Sequence, residues 1–110
     1  MKIEKKEKYT LVSSDDNSFS SFYESFLENL TSLKKEHLVL QISENLNVKT
    51  EEILLFLSIT EEKKENGTSF VIVKSNINMD DFPENFNIAP TLIEAEDILE
   101  MEAMERELGF

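Results

Sequence analysis

The segment Leu38-Val39-Leu40-Gln41-Ile42 is short, almost entirely apolar and rich in branched side chains. Such a run is typical of a central strand that is buried on both faces of a sheet. A second run of this kind, Phe70-Val71-Ile72-Val73, follows later in the chain. Because a helical pattern separates the two runs, a right-handed crossover would place the strands parallel. The sequence therefore predicts parallel strands at the centre of the protein.

Two helical patterns flank the first of these strands. Between residues 19 and 33, large apolar residues recur at helical spacing, while small and polar residues fill the other positions. A second helix is predicted to begin at Thr50 as its N-cap and to end at Asn66-Gly67, which tolerate a positive φ. Its polar tail, Glu61-Glu62-Lys63-Lys64-Glu65, is predicted to face solvent.

The remaining elements complete an alternating order of strands and helices. A first strand is predicted at residues 9–12, with a start that could extend back to Ile3, and a short edge strand at residues 86–88. This order predicts an α/β fold with one mixed, centrally parallel sheet covered by helices. Residues 1–110 are expected to form a single domain, in which residues 1–8 could fray and residues 91–108 are the C-terminal helix. Its predicted core is Leu38, Leu40, Ile42, Ile53, Leu57, Phe70, Ile72, Phe22, Phe26 and Leu99.

The C-terminal helix carries signals for its start, its end and its surfaces. Thr91 and Glu94 are spaced as a capping box, and Gly109 is suited to the left-handed conformation that ends a helix. At 100° per residue, one apolar stripe contains Leu92, Ala95 and Leu99, with Ile98 on its flank. A second stripe, roughly opposite, contains Met101, Met104 and Leu108 and is continued by Phe110. This second stripe either packs within the chain or forms a protein interface.

Composition excludes several classes of function. The formal net charge is −12, so contacts with nucleic acid and with anionic membrane surfaces are not expected. A single histidine, no cysteine and only two glycines leave no residues for a histidine-based triad, a disulfide framework or a glycine-rich phosphate loop. No run near Met1 is apolar enough for a signal peptide or a membrane span. We therefore expect a cytoplasmic protein with protein partners.

The candidate reactive side chains favour structural roles. His37, the single histidine, is predicted to be a structural or surface residue. Adjacent acidic pairs, such as Asp15-Asp16 and Glu51-Glu52, point apart on regular elements, which argues against a carboxylate pair for catalysis. Asp80-Asp81 lies in a predicted loop, where a weak Ca²⁺ contact is conceivable. No catalytic residue, cofactor-binding residue or metal site is predicted.

Two motifs and the order of elements resemble the STAS domain of bacterial anti-sigma factor antagonists. The segment 37–43 (HLVLQIS) resembles the central strand of that family, and the segment 91–95 (TLIEA) resembles the opening of its closing helix. The segment 102–109 (EAMERELG) is similar to the tail of flavobacterial members. The resemblance covers roughly residues 9–109, and it implies a regulatory protein whose partner is an anti-sigma factor or a switch kinase.

The family's phosphorylation turn is altered in this sequence. Family members carry Asp-Ser-Ser/Thr-Gly at the start of the helix after the central strand, and the corresponding residues here are Lys49-Thr50-Glu51-Glu52. A hydroxyl remains at Thr50, but lysine replaces the aspartate and glutamate replaces the glycine. The resemblance therefore implies an antagonist-like module that has lost the usual phosphorylation switch.

Two hypotheses for function follow. The first is a non-enzymatic, protein-binding module resembling an anti-sigma factor antagonist. The second is a small acidic homodimer or complex subunit that assembles through its Met-rich C-terminal helix and is unrelated to sigma-factor control. An enzyme is not predicted, because no convergent acid, base and nucleophile can be written from these residues.

Overall fold

A five-stranded sheet forms the centre of the computed structural model, which describes residues 1–109. The strands lie side by side in the order in which they occur in the chain. The first pair is antiparallel and the other three pairs are parallel, so the predicted mixed, centrally parallel sheet is confirmed. The strands are β1 (Lys2–Lys5), β2 (Thr10–Ser13), β3 (Leu38–Gln41), β4 (Phe70–Val73) and β5 (Ile88–Ala89).

Helical segments cover both faces of this sheet. They are α1 (Phe19–Asn29), α2 (Thr50–Ile53), a 3-10 turn (Leu54–Phe56), α3 (Leu57–Glu65) and α4 (Leu92–Glu107). The predicted second helix is therefore present but is broken by the 3-10 turn. Side chains three residues apart eclipse in a 3-10 helix, so Ile53 and Phe56 both face the sheet and both are buried. The ring of Phe56 packs at 5.6 Å from Phe26, measured between centroids.

Successive side chains along each strand point to opposite faces, which divides the core in two. Leu38, Leu40 and Ile72 pack in the larger cluster with α1, α2 and α3. Val39 and Val71 pack in the smaller cluster with Ala95 of α4. The parallel strands are buried on both faces, as their continuous apolar runs predicted.

Differences from the predicted boundaries lie at the two edges of the sheet. The chain start forms a separate strand, β1, joined to β2 by a turn in which the Lys6 N–H donates to the Tyr9 carbonyl oxygen at 2.8 Å. All residues of β1 are exposed, so no apolar alternation marked it as a strand. At the other edge, β5 begins two residues later and ends one residue later than the predicted 86–88, and Phe86 packs into the larger cluster before the strand begins.

Three predicted side-chain positions need correction. Leu57 and Leu99 are half-buried, and Leu99 belongs to the smaller cluster beneath α4. Lys63, predicted to face solvent, is buried. Its Nζ donates hydrogen bonds to the carbonyl oxygens of Leu33, Lys34 and Glu36 at 3.0, 3.2 and 2.5 Å. Its ammonium group is thus satisfied by the turn that precedes β3, which explains how a charge can be buried there.

Candidate functional site

The residues at the altered switch position lie where β3 connects to α2. Lys49 is the N-cap of α2 and Thr50 is its first helical residue, so the predicted cap at Thr50 is wrong. The Lys49 N–H donates to Oε1 of Glu52 at 2.9 Å, and this carboxylate performs the capping. Within residues 1–109 the Thr50 hydroxyl has no hydrogen bond, and Glu51 beside it is exposed. The position therefore presents a half-buried threonine that is followed directly by two glutamates.

The start of α4 is capped largely as predicted. The Glu94 N–H donates to Oγ1 of Thr91 at 3.2 Å. A capping box would add a hydrogen bond from the Thr91 N–H to the Glu94 carboxylate. Here the Glu94 carboxylate instead lies with its Oε1 3.3 Å from the Thr91 hydroxyl. Gly109, at φ +82°, ends the helix in the left-handed region, as Gly67 does for α3 at φ +76°. These signals fix where α4 begins and ends, and thereby which of its side chains face outward.

An exposed apolar stripe runs along α4. Ile93, Met101, Met104 and Leu108, which we call the outer stripe, are each more than half exposed, from 54% for Met101 to 73% for Ile93. At 100° per residue they fall within an arc of about 80°. The sequence identified Met101, Met104 and Leu108 and missed Ile93, although the same helical wheel contains it. Phe110, which was predicted to continue the stripe, lies outside the described residues.

The opposite face of α4 is already used for packing. Ala95 is buried on the sheet, and Leu92, Ile98 and Leu99 pack beside it as the sequence predicted. The outer stripe therefore makes no contribution to the core, and exposed carboxylates surround it. The side chains of this acidic rim are Glu94, Glu100, Glu105 and Glu107, and the exposed Asp97 lies within the arc of the stripe itself, between Ile93 and Met101. Over its length of about 22 Å, the outer side of α4 is an apolar strip with anionic borders.

A groove lies beneath the inner side of α4, next to the residues that precede β2 and β3. Its volume is about 740 Å³. Leu92, Leu99 and Ala103 form its apolar wall. The sequence did not predict this groove, because its walls come from distant parts of the chain. Its charged and polar lining consists of Lys6, Glu7, Lys8, Tyr9, His37, Glu96, Glu100 and Arg106.

Tyr9 and Glu96 join the two sides of the groove. The Tyr9 hydroxyl donates to Oε2 of Glu96 at 2.6 Å. Partial burial and this carboxylate together raise the pKa of Tyr9 to about 12, because both disfavour a phenolate. Tyr9 is therefore a hydrogen-bond donor at neutral pH.

His37 and Arg106 meet at Ser69, the residue before β4. The Ser69 N–H donates to Nδ1 of His37 at 3.0 Å, and Nη1 of Arg106 donates to the Ser69 Oγ at 3.1 Å. Burial lowers the pKa of His37, and the positive charges of Arg106 and Lys63 lower it further. His37 is half-buried and hydrogen-bonded, in keeping with the structural role predicted from the sequence, and it also lines the groove.

The described residues form neither a cluster of metal ligands nor a membrane-spanning helix. Across residues 1–109, no group of three or more histidine, aspartate or glutamate side chains is placed to hold a metal ion. Asp80 and Asp81 lie in a 3-10 turn (Met79–Asp81), where the Asp80 N–H donates to Oδ1 of Asn78 at 3.1 Å. None of the helices described has the length and apolarity that a membrane span requires.

No protein-family model matches the chain, and no curated protein matches it significantly.

Proposed function

We propose that this chain is a non-enzymatic protein-binding module that contacts its partner through the outer stripe of α4. The observation that carries the proposal is that Ile93, Met101, Met104 and Leu108 are exposed on a helix whose other face already packs on the sheet. Contiguous exposed apolar side chains are typical of interaction surfaces. Methionine suits such a surface, since its flexible, polarisable side chain adapts to different partners.

Charge favours a basic partner over a second copy of this chain. The outer stripe is bordered by the acidic rim, and the chain as a whole carries a net charge of −12. A homodimer through this surface would bring two acidic rims together, which opposes association. A partner helix with an apolar stripe and flanking lysines or arginines would bury the stripe and pair with the rim. The homodimer is therefore our second candidate, supported by the methionine-rich stripe alone.

The identity of the partner is proposed from the STAS resemblance. It favours a cytoplasmic regulator that binds an anti-sigma factor or a switch kinase. Nucleic acid and anionic membrane are poor partners for so acidic a chain.

The proposal includes no phosphorylation switch at Thr50. Glu52 is held at the start of α2 by its hydrogen bond with the Lys49 N–H, and Glu51 lies next to Thr50. At about 6 Å and an effective dielectric of about 40, each carboxylate would oppose a doubly charged phosphate by roughly 1 to 3 kcal/mol. A helix N-terminus favours an anion by only about 0.3 to 1 kcal/mol. Intact-mass measurement of protein from its own cells tests this, and a stoichiometric phosphate on Thr50 would restore a switch.

The interface is tested by affinity purification from the native cells with three versions of the chain. These are the wild type, the double variant Met104→Glu/Leu108→Glu, and the control Leu27→Glu/Leu55→Glu, which places the same charges on exposed leucines of other helical segments. We expect the wild type and the control to capture the same partner and the stripe variant to lose it. Equal capture by the stripe variant would place the interface elsewhere.

Two solution measurements complete this test. Melting midpoints should be alike in all three versions, because the outer stripe is not part of the core. A melting midpoint lowered by several degrees in the stripe variant alone would show that the stripe belongs to the core. Molecular mass in solution distinguishes the two candidates. A dimer that dissociates in the stripe variant would favour assembly of this chain with itself.

A further inference from the structure

We propose that the groove beneath α4 binds a small organic monoanion with an apolar body, such as a medium-chain carboxylate, with its anionic group at Arg106. This site is distinct from the outer stripe, which lies on the opposite side of the same helix. Nothing in the proposed protein-binding function requires it.

The size and walls of the groove fit a small amphiphile. A volume of about 740 Å³ falls within the range of roughly 300 to 1,000 Å³ that is usual for ligand sites. Leu92, Leu99 and Ala103 lie along one side of α4, so the apolar wall extends over about 16 Å. A wall of this length can accommodate an extended chain of several methylene groups.

Arg106 supplies the group that would hold an anion. Its guanidinium makes one hydrogen bond, to Ser69, and in the described part of the chain no carboxylate oxygen lies within 4.0 Å of it. An arginine has five N–H donors in a fork that matches a carboxylate, so donors remain for a ligand. Nδ1 of His37 is occupied by the Ser69 N–H, so its other ring nitrogen, Nε2, is the one available to a ligand.

Cationic side chains lie at this end of the groove despite the acidic chain. Burial is the main cause of the lowered pKa of His37, and Glu102 acts in the opposite direction, but the positive charges of Arg106 and Lys63 also lower it. An anion placed beside the ring would be stabilised by the same charges. Lys8 also lines the groove and has no ion pair among residues 1–109.

The carboxylates in the groove restrict the ligand to a low charge. Glu96 accepts the hydrogen bond from Tyr9, and Glu7 and Glu100 line the same cavity. Together they would repel a nucleotide or another polyanion. A single anionic group paired with Arg106, with an uncharged body along Leu92 and Leu99, avoids that repulsion.

The single histidine makes the site directly observable by NMR. Octanoate is the test ligand, acetate carries the same anionic group without the body, and octanol carries the body without the charge. We expect octanoate to shift the His37 ring resonance saturably and to raise its pKa, and we expect acetate and octanol to do so only weakly. Equal effects of octanoate and acetate, or no shift at millimolar octanoate, would overturn the proposal.

Variants separate the two parts of the site. Arg106→Gln should weaken octanoate binding by about tenfold or more, the usual loss for one charge-assisted hydrogen bond. Lys64→Gln, which removes an exposed charge elsewhere, is the matched control and should bind as the wild type does. Ala103→Phe should fill part of the groove, because Ala103 belongs to its apolar wall. Unchanged octanoate binding in both Arg106→Gln and Ala103→Phe would show that the ligand lies elsewhere.

Discussion

Tyr9 and Glu96 are 87 residues apart in the chain and are joined by a 2.6 Å hydrogen bond from the phenol to the carboxylate. This bond ties the turn between β1 and β2 to α4. Tyr9 also packs beside Ala95 in the smaller core cluster, so the contact combines a polar and an apolar component. The edge of the sheet and the last helix are thereby held together at one side of the groove.

The first prediction concerns the titration of Tyr9. Its pKa is raised to about 12 from an ordinary value of 10.0, so the folded state binds the phenolic proton more tightly than the unfolded state does. This contribution to stability is complete below about pH 10 and is lost as the pH rises from about 10 to about 12. In a Tyr23→Phe background, phenolate absorbance reports Tyr9 alone. Glu96→Gln should lower the pKa of Tyr9, and an unchanged titration would show that the hydrogen bond is absent in solution.

The second prediction concerns the buried Lys63. Lys63→Met keeps the apolar stem but leaves the carbonyl oxygens of Leu33, Lys34 and Glu36 without their charged donor. We expect a loss of about 2 to 3 kcal/mol in the free energy of unfolding, measured by urea denaturation. Lys64→Met, at the exposed neighbouring position, should change it by less than about 0.5 kcal/mol. If Lys63→Met and Lys64→Met changed the free energy of unfolding equally, the ammonium group of Lys63 would be exposed to solvent.

The third prediction concerns the central strand. Leu40 is fully buried between β2 and β4, and an unpaired carboxylate there would cost several kcal/mol of the roughly 5 to 15 that stabilise a domain. Leu40→Asp should therefore unfold the chain, as observed by circular dichroism. Leu55→Asp, at a half-exposed leucine, is the control and should remain folded. A folded Leu40→Asp variant with an unchanged melting midpoint would contradict the placement of β3.

Most of the fold was predictable because its signals are local. The apolar runs of β3 and β4, the periodicity of α1 and the cap at Thr91 each depend on residues close together in the chain. In contrast, the strand Lys2–Lys5 is charged and exposed, and it is a strand only because β2 offers its edge. Lys63 looked solvated because the carbonyl oxygens that bury its charge come from a turn about thirty residues earlier.

The two candidate surfaces also differ in whether the sequence could predict them. The outer stripe could be predicted on a helical wheel, since Met101, Met104 and Leu108 share one face of a single helix. The groove could not, because Tyr9, His37 and Arg106 meet only when the sheet and α4 are assembled. A sequence pattern within a single segment therefore cannot predict that these three residues come together.

The last prediction compares two threonines at helix starts. The Thr91 hydroxyl accepts the Glu94 N–H at 3.2 Å, whereas Thr50 lies one residue inside α2 and the Glu52 carboxylate caps that helix. Thr91→Ala should cost about 1 kcal/mol, which for a domain of this size lowers the melting midpoint by roughly 4 to 8 °C. Thr50→Ala should change the stability by less than about 0.5 kcal/mol, since alanine favours a helix and no cap is lost. If Thr50→Ala proved as destabilising as Thr91→Ala in the same thermal scans, the hydroxyl of Thr50 would be the cap of α2, as its position in the sequence first suggested.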